Sequence, residues 1–298
     1  MPALYDVESG WKFAYHHVYI KEIQYNKDQW LQKLSGYVAN STLVDYKKYY
    51  QSLWELVYSA YGKDRINNGP MNIGNFVVPN GWEKEHSNNN LVLRMLQNGY
   101  YTGGRAGRIS VQPDSQKLQG TVNPIQNLVN NICEVINAFL SDKPNTIIYW
   151  KFVDDTKICV CIDDIVIYVS SANADDQTEV LAKELSAKIG SVAQHNTNGI
   201  PGMKEYQKGI YMARECNGYD TRWYSEAMKQ TFNAERESHG GSLAASFAFA
   251  LLDSKWDFRI AKSIFARAFA SFRDINNCFQ FDRSRRLLSI SYYNKLWP

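Results

Sequence analysis

Residues 146–153 read Thr-Ile-Ile-Tyr-Trp-Lys-Phe-Val, an apolar run broken by one cation, Lys151. A lysine beside bulky aromatic rings is partly desolvated, which lowers its pKa and makes it a usable base. Strand alternation offers a plainer outcome, a lysine turned to solvent. Upstream, Gly103-Gly104-Arg105-Ala106-Gly107 and the adjoining Arg108 set two guanidinium groups beside flexible backbone. Such a pair can hold a phosphate ester through charge-assisted hydrogen bonds. A hairpin-like turn with exposed arginines is the alternative. Glu237-Ser238-His239-Gly240-Gly241-Ser242 opens a stretch rich in Ala and Phe with helical character. His239 would then lie in the first turn, near backbone N–H groups that can hold an anion, and could protonate a leaving group. Asp163 and Asp164 precede an apolar strand and either orient a cation or form the turn. Lys204 and Lys208 flank Tyr206 and, taken alone, are ordinary surface lysines.

Several other chemistries are excluded. The glycine-rich loop precedes a strand instead of linking a strand to a helix, the wrong context for a dinucleotide or P-loop cradle. No Gly-x-Ser-x-Gly element exists, which removes the serine-hydrolase reading. The five cysteines (133, 159, 161, 216 and 278) are odd in number and scattered, so a disulfide framework is not expected. Cys159 and Cys161 share a strand face but lack two further ligands for zinc. His16, His17, His86 and His195 form no metal pattern. Neither a metal nor an organic cofactor is expected. The formal charge of +3 over 298 residues gives no concentrated basic face of the kind nucleic acid selects. Arg283, Arg285 and Arg286 read as a solvated cluster. No run approaches the roughly 18–20 apolar residues of a membrane span. The first residues lack the basic start and apolar run of a secretory signal. The expected setting is therefore a reducing cytosol, with no membrane or nucleic-acid partner.

The elements that must position these residues are legible from periodicity. Amphipathic helices are expected at 27–38 and at 43–61, where Tyr46, Tyr49, Tyr50, Leu53, Trp54, Val57 and Tyr61 recur at three- and four-residue steps. Asn67-Asn68-Gly69-Pro70 closes this lobe with turn chemistry, and 74–105 reads as loop-rich, with Asn88-Asn89-Asn90 as a tip. A strand at 108–112, a helix at 124–140 opened by Pro124, strands at 146–153 and 157–170, a helix at 175–190 and a strand from Gly209 follow. That order, β-α-β-β-α-β, is the split βαβ arrangement: an antiparallel sheet with two helices on one face. Helices near 221–234, 240–252 and 257–272 close the chain. The expected fold class is α+β, with a helical N-terminal lobe and connection over 1–105 and the core with its C-terminal helices over 106–298.

Taken in order, several of these pieces resemble one family. They are Gly107-Arg-Ile-Ser-Val-Gln-Pro113, the Lys151 strand, Asp163-Asp-Ile-Val-Ile-Tyr168, Ile200-Pro-Gly-Met-Lys204 with Lys208-Gly-Ile-Tyr-Met-Ala213, and Ser238-His-Gly-Gly-Ser242. The series is similar to the HopA-type effectors of type III secretion, which share their domain with phospho-Ser/Thr lyases of lanthipeptide maturation. It spans about residues 107 to 252. The resemblance implies β-elimination of phosphate from a peptide or protein substrate, without cofactor or metal. It implies Lys151 as the base, His239 as acid or second anchor, Asp163 as an orienting group, and Arg108 with Arg105, Lys204 and Lys208 around the phosphate. A kinase or peptide-maturation partner would accompany such a lyase; an effector would leave the bacterial cytoplasm for a host cell. Where the maturation enzymes carry arginines, this chain has Cys161, Ile162 and Leu243. That difference favours the alternative, a non-catalytic effector or toxin-like protein that binds a protein partner.

Overall fold

A computed structural model describes residues 6–23, 28–29, 32, 52–58, 77–87, 90–95, 107–112, 124–153, 164–171, 177–190, 200–214, 239–254 and 257–271. In chain order the elements are α1 (Val7–Phe13), which runs on as a π-helix over Ala14–Ile23, then β1 (Trp82–Ser87), β2 (Asn90–Met95) and β3 (Gly107–Val111). They continue with α2 (Pro124–Asp142), β4 (Thr146–Val153), β5 (Ile165–Ser171), α3 (Thr178–Ile189), β6 (Lys204–Gln207), β7 (Ile210–Arg214), α4 (His239–Asp253) and α5 (Phe258–Ser271). The protein is α+β. Its contacts divide it into two compact units, one of Met1–Tyr5 and Gly62–Glu215, the other of Asp6–Tyr61 and Cys216–Pro298.

The first unit is built on a seven-stranded sheet in the order β1-β2-β4-β5-β3-β7-β6. Every neighbouring pair is antiparallel. Its centre, β4-β5-β3-β7, is the expected split arrangement. The chain leaves β3, crosses through α2 to β4, and returns by a hairpin to fill the gap with β5. It then crosses through α3 and comes back beside β3 as β7.

The loop-rich reading of 74–105 is corrected. Trp82–Ser87 and Asn90–Met95 form a hairpin in which Ser87 pairs with Asn90, and β2 then extends the sheet beyond β4. At the opposite edge, Lys204–Gln207 forms a further strand ahead of the expected one. Gly209, with φ of 75°, makes the turn between β6 and β7, a backbone conformation that glycine adopts without steric cost.

Alternation gives the sheet two unlike faces. Ile109, Val111, Ile148, Trp150, Ile165, Ile167, Val169, Ile210 and Met212 point to one side. There they pack with Leu128, Val129, Ile132, Cys133, Ile136 and Phe139 of α2 and Leu181, Ala182, Leu185 and Ile189 of α3 in one buried cluster. The helical spacing of the α2 residues is what brings them to the sheet. Helix α3 comes close to β3 because Gly107 has no side chain: a Cβ there would lie 2.7 Å from that of Ala182. The Gln207 amide donates to the Ser186 carbonyl at 2.9 Å and so satisfies the last turn of α3.

The second unit is helical in its described parts. The Asp6 carboxylate accepts from Ser9 N–H at 3.0 Å and caps α1. Trp11 then packs against Phe247 and Phe265, each with ring centroids at 5.6 Å, and Tyr19 lies against Phe258 at 4.0 Å. Glu8 pairs with Lys262 at 3.1 Å across the same contact. At the end of α4 the Ser254 N–H donates to the Ala250 carbonyl and its hydroxyl to the Leu251 carbonyl, and ahead of α5 the Asp257 N–H donates to the Ser254 carbonyl. The aromatic stripe expected over 43–61 is helical over 52–58: Leu53 and Val57 are buried, and Trp54 stacks on Tyr58 and donates to the Gly241 carbonyl at 3.3 Å. Over those described residues Leu53 and Val57 make a packing face; Tyr46, Tyr49, Tyr50 and Tyr61 lie outside the described residues. The expected helix at 221–234, most of that at 27–38, the 67–70 turn, the early part of the 157–170 strand and the Arg283 cluster lie outside the described residues.

Candidate functional site

The sheet face turned away from α2 and α3 is polar at its centre. Cross-strand pairing fixes which residues share it. Arg108 on β3 sits opposite Tyr168 on β5, which sits opposite Tyr149 on β4. One step along, Ser110 sits opposite Val166, which sits opposite Lys151. Alternation therefore places Arg108, Ser110, Tyr149, Lys151, Val166 and Tyr168 on one face. Lys151 and Arg108 are two strands and two residues apart, roughly 12 Å between Cα atoms from ordinary sheet spacings. That is a span two long cationic side chains can close upon a phosphate-sized group.

The local contacts are specific. Arg108 is 2% exposed. Its Nε donates to Ser110 Oγ at 3.3 Å, and its guanidinium carbon lies 5.8 Å from the centre of the Tyr168 ring. Tyr168 stacks on Tyr149 with centroids 5.6 Å apart and planes at 30°. Lys151 is half-buried, between the two outcomes its sequence setting allowed. The continuous contact runs Ser110, Arg108, Tyr168, Tyr149. A guanidinium over an aromatic ring is attracted by the ring's negative face.

Other candidates fall elsewhere. Lys204 pairs with Met212, whose side chain belongs to the helix-covered face, so its register position is on the side opposite Arg108 and Lys151. Lys208 lies in the exposed turn after β6. Asp163 and Arg105 lie outside the described residues; Asp164, next to β5, is buried. His239 is the first residue of α4, as its sequence context implied, and belongs to the second unit. It is buried, and its ring meets Phe269 edge-on at 5.9 Å. The Ser242 hydroxyl donates to the His239 carbonyl at 2.8 Å. Among the described residues, no group of three or more His, Cys, Asp or Glu could hold a metal ion. Nor is any described helix long and apolar enough to cross a membrane.

Sequence reasoning singled out the two cations but not Ser110, Tyr149 and Tyr168. The signal was present as two-residue spacing from Arg108 and from Lys151, once both segments were read as strands.

The fold and this row define an α+β protein with cations and tyrosines on one sheet face. No known protein family matches the sequence, and no curated protein does either. In structure the chain is similar to an effector protein from Pseudomonas syringae pv. tomato strain DC3000, with a TM-score of 0.46 and 12% identity over 80% of this chain and 95% of that one. It is also similar to an effector protein from Pseudomonas syringae pv. syringae strain 61, with a TM-score of 0.37 and 10% identity over 78% and 93%. Scores at this level assign neither the family nor the activity.

Proposed function

We propose that the chain is an effector-type lyase of the HopA kind, which eliminates phosphate from phosphoserine or phosphothreonine in a peptide or protein. The observation that supports it is the placing of Arg108 and Lys151 on one sheet face, where the motif resemblance asks for an anchor and a base. In this reading Lys151 takes the Cα proton, the Cβ–O bond breaks, and phosphate leaves with the bonding pair. The product is a dehydro residue. Lys151 is half-buried on that face. Arg108 stabilises the charge gathering on the leaving phosphate. The resemblance also gives His239 the part of acid; in this fold it is a buried residue of the second unit. No metal or organic cofactor enters the scheme. As an effector the protein would be made in the bacterial cytoplasm and delivered to a host cell.

The test is mass spectrometry of phosphothreonine and phosphoserine peptides after incubation with the purified chain. Loss of phosphoric acid that disappears in Lys151→Ala is the expected result; full elimination by that variant removes Lys151 as the base. His239→Ala tests the acid separately, and should slow phosphate loss without abolishing peptide binding.

A second reading has its own observation. Arg108 is almost wholly buried and already engaged by Ser110 and Tyr168, as a structural arginine would be. In that reading the chain is a non-catalytic effector or toxin-like protein that binds a protein partner. Stable complexes by native mass measurement, with no phosphate loss from any peptide, would favour it.

A further inference from the structure

We infer that residues 77–81 are a strap, latched to α2 by the Gln126 side chain, which opens about the turn ahead of β1 while the sheet stays folded. The strap belongs to the first unit and lies on its helix-covered side, apart from the proposed phosphate site. The latch is a two-way pairing. The Val77 N–H donates to Gln126 Oε1 at 2.6 Å, and Gln126 Nε2 donates to the Val77 carbonyl at 2.8 Å. One side-chain amide thus does for Val77 what a neighbouring antiparallel strand would do. The amide is itself held in place, since Nε2 also donates to Asn130 Oδ1, four residues on along α2, at 2.8 Å.

This hold is local. Val77 is 76% exposed, so its side chain adds little burial, and both latch bonds face water. Val78 is the inward residue, half-buried against the core cluster. The far end of the strap is a hinge. The Trp82 N–H donates to the Pro79 carbonyl at 3.2 Å and closes a four-residue turn in which Gly81 has φ of 87°. A Cβ at Gly81 would meet nothing within 4 Å, so the turn has room to move. Trp82 gives the closed state a reason to open. It is 5% exposed and packs edge-on against Trp150, with centroids 6.0 Å apart. Its indole N–H has no hydrogen-bond partner among the described residues. A buried donor left unpaired is costly, and lifting the strap lets water reach it. That gain opposes the burial of Val78 and the two exposed bonds, so closed and open states are closely balanced.

Amide hydrogen exchange of the full chain tests this, read by mass spectrometry over peptides covering 77–82 and 146–153, with thermal unfolding as the control for global stability. In Gln126→Ala, exchange over 77–82 should speed up roughly tenfold, in line with the loss of exposed bonds that hold a local opening shut. The segment 146–153, paired on both sides within the sheet, should keep its wild-type rate. Gln126→Glu still accepts from the Val77 N–H but sets a carboxylate against the Val77 carbonyl, and should give the same selective rise. Asn130→Ala leaves the latch bonds and frees only the amide's orientation, so its rise should be smaller. An unchanged rate over 77–82 in both Gln126 variants overturns the inference, because other contacts then hold the segment. A rise over 77–82 matched by one over 146–153 overturns it as well, because the strap then opens only with the sheet.

Discussion

Gln112 carries a cost that nothing among the described residues repays. Its side chain has no exposed surface, and among the described residues neither its amide nitrogen nor its amide oxygen has a hydrogen-bond partner. Its backbone N–H is satisfied by the Gly209 carbonyl at 3.3 Å, so the deficit belongs to the side chain alone. A buried polar group left without a partner costs about 1–3 kcal/mol. Gln112→Met keeps the length and removes the polar atoms. It should raise unfolding stability by about 1 kcal/mol, read as a higher urea midpoint with an unchanged slope. A lowered midpoint would mean that the amide is paired in solution. Cys133 makes a second case. It is buried against the sheet, and burial first, with Glu134 second, pushes its thiol from about 9 up to about 12. The folded state thus keeps a proton that the unfolded chain releases above about pH 9. Stability from this group is whole below pH 9 and falls as pH rises toward 12. Cys133→Ala lacks that term, so its stability relative to wild type should improve across this window. A constant difference between the two proteins from pH 8 to 10.5 would disprove the shift.

At the scale of elements, Gly107 shows how a functional-looking motif acquires a packing explanation. In sequence it ends a glycine-rich loop beside two arginines. In the fold it opens β3, where α3 crosses close above the strand, and a Cβ would meet Ala182. Gly107→Ala should therefore destabilise the protein by about 1–3 kcal/mol, the usual range for overpacking a tight contact. Thermal unfolding measures it, and a pairing Ala182→Gly should recover part of the loss. The central strands and both crossover helices were legible because their apolar residues recur with clean periods. The strand at 82–87 was not. Trp-Glu-Lys-Glu-His-Ser has three charges in six residues and low strand propensity. The strand at 204–207, Lys-Glu-Tyr-Gln, is similarly polar. Both lie at sheet edges, where charge discourages pairing with other chains, so the composition that hid them suits their place. The expected strand start near 157 falls on residues not described, and β5 itself opens at Ile165.

For the whole molecule, sequence could name the cations but not their neighbourhood. Arg108 and Lys151 are 43 positions apart in the chain, and only the insertion of β5 between their strands sets them on one face at two strands' distance. The resemblance set Lys204 beside them at the phosphate, yet register sends it to the other side, a distinction that a one-residue shift in pairing would reverse. The same locality governs partners. With a formal charge of only +3 over the whole chain, no strong long-range field gathers polyanions, and recognition of a phosphate must come from a few fixed groups. Binding to duplex DNA should then be absent at physiological salt, while binding to a phosphothreonine peptide should fall only gently as salt rises. Many phosphate contacts would instead give a steep log–log slope, close to one unit per contact. A fluorescence-anisotropy titration of both ligands between 50 and 300 mM salt, about the range where such slopes separate, decides between them. A steep slope with tight DNA binding would point to a basic surface that +3 conceals; a shallow slope confined to the phosphopeptide is what a site of one arginine and one lysine demands.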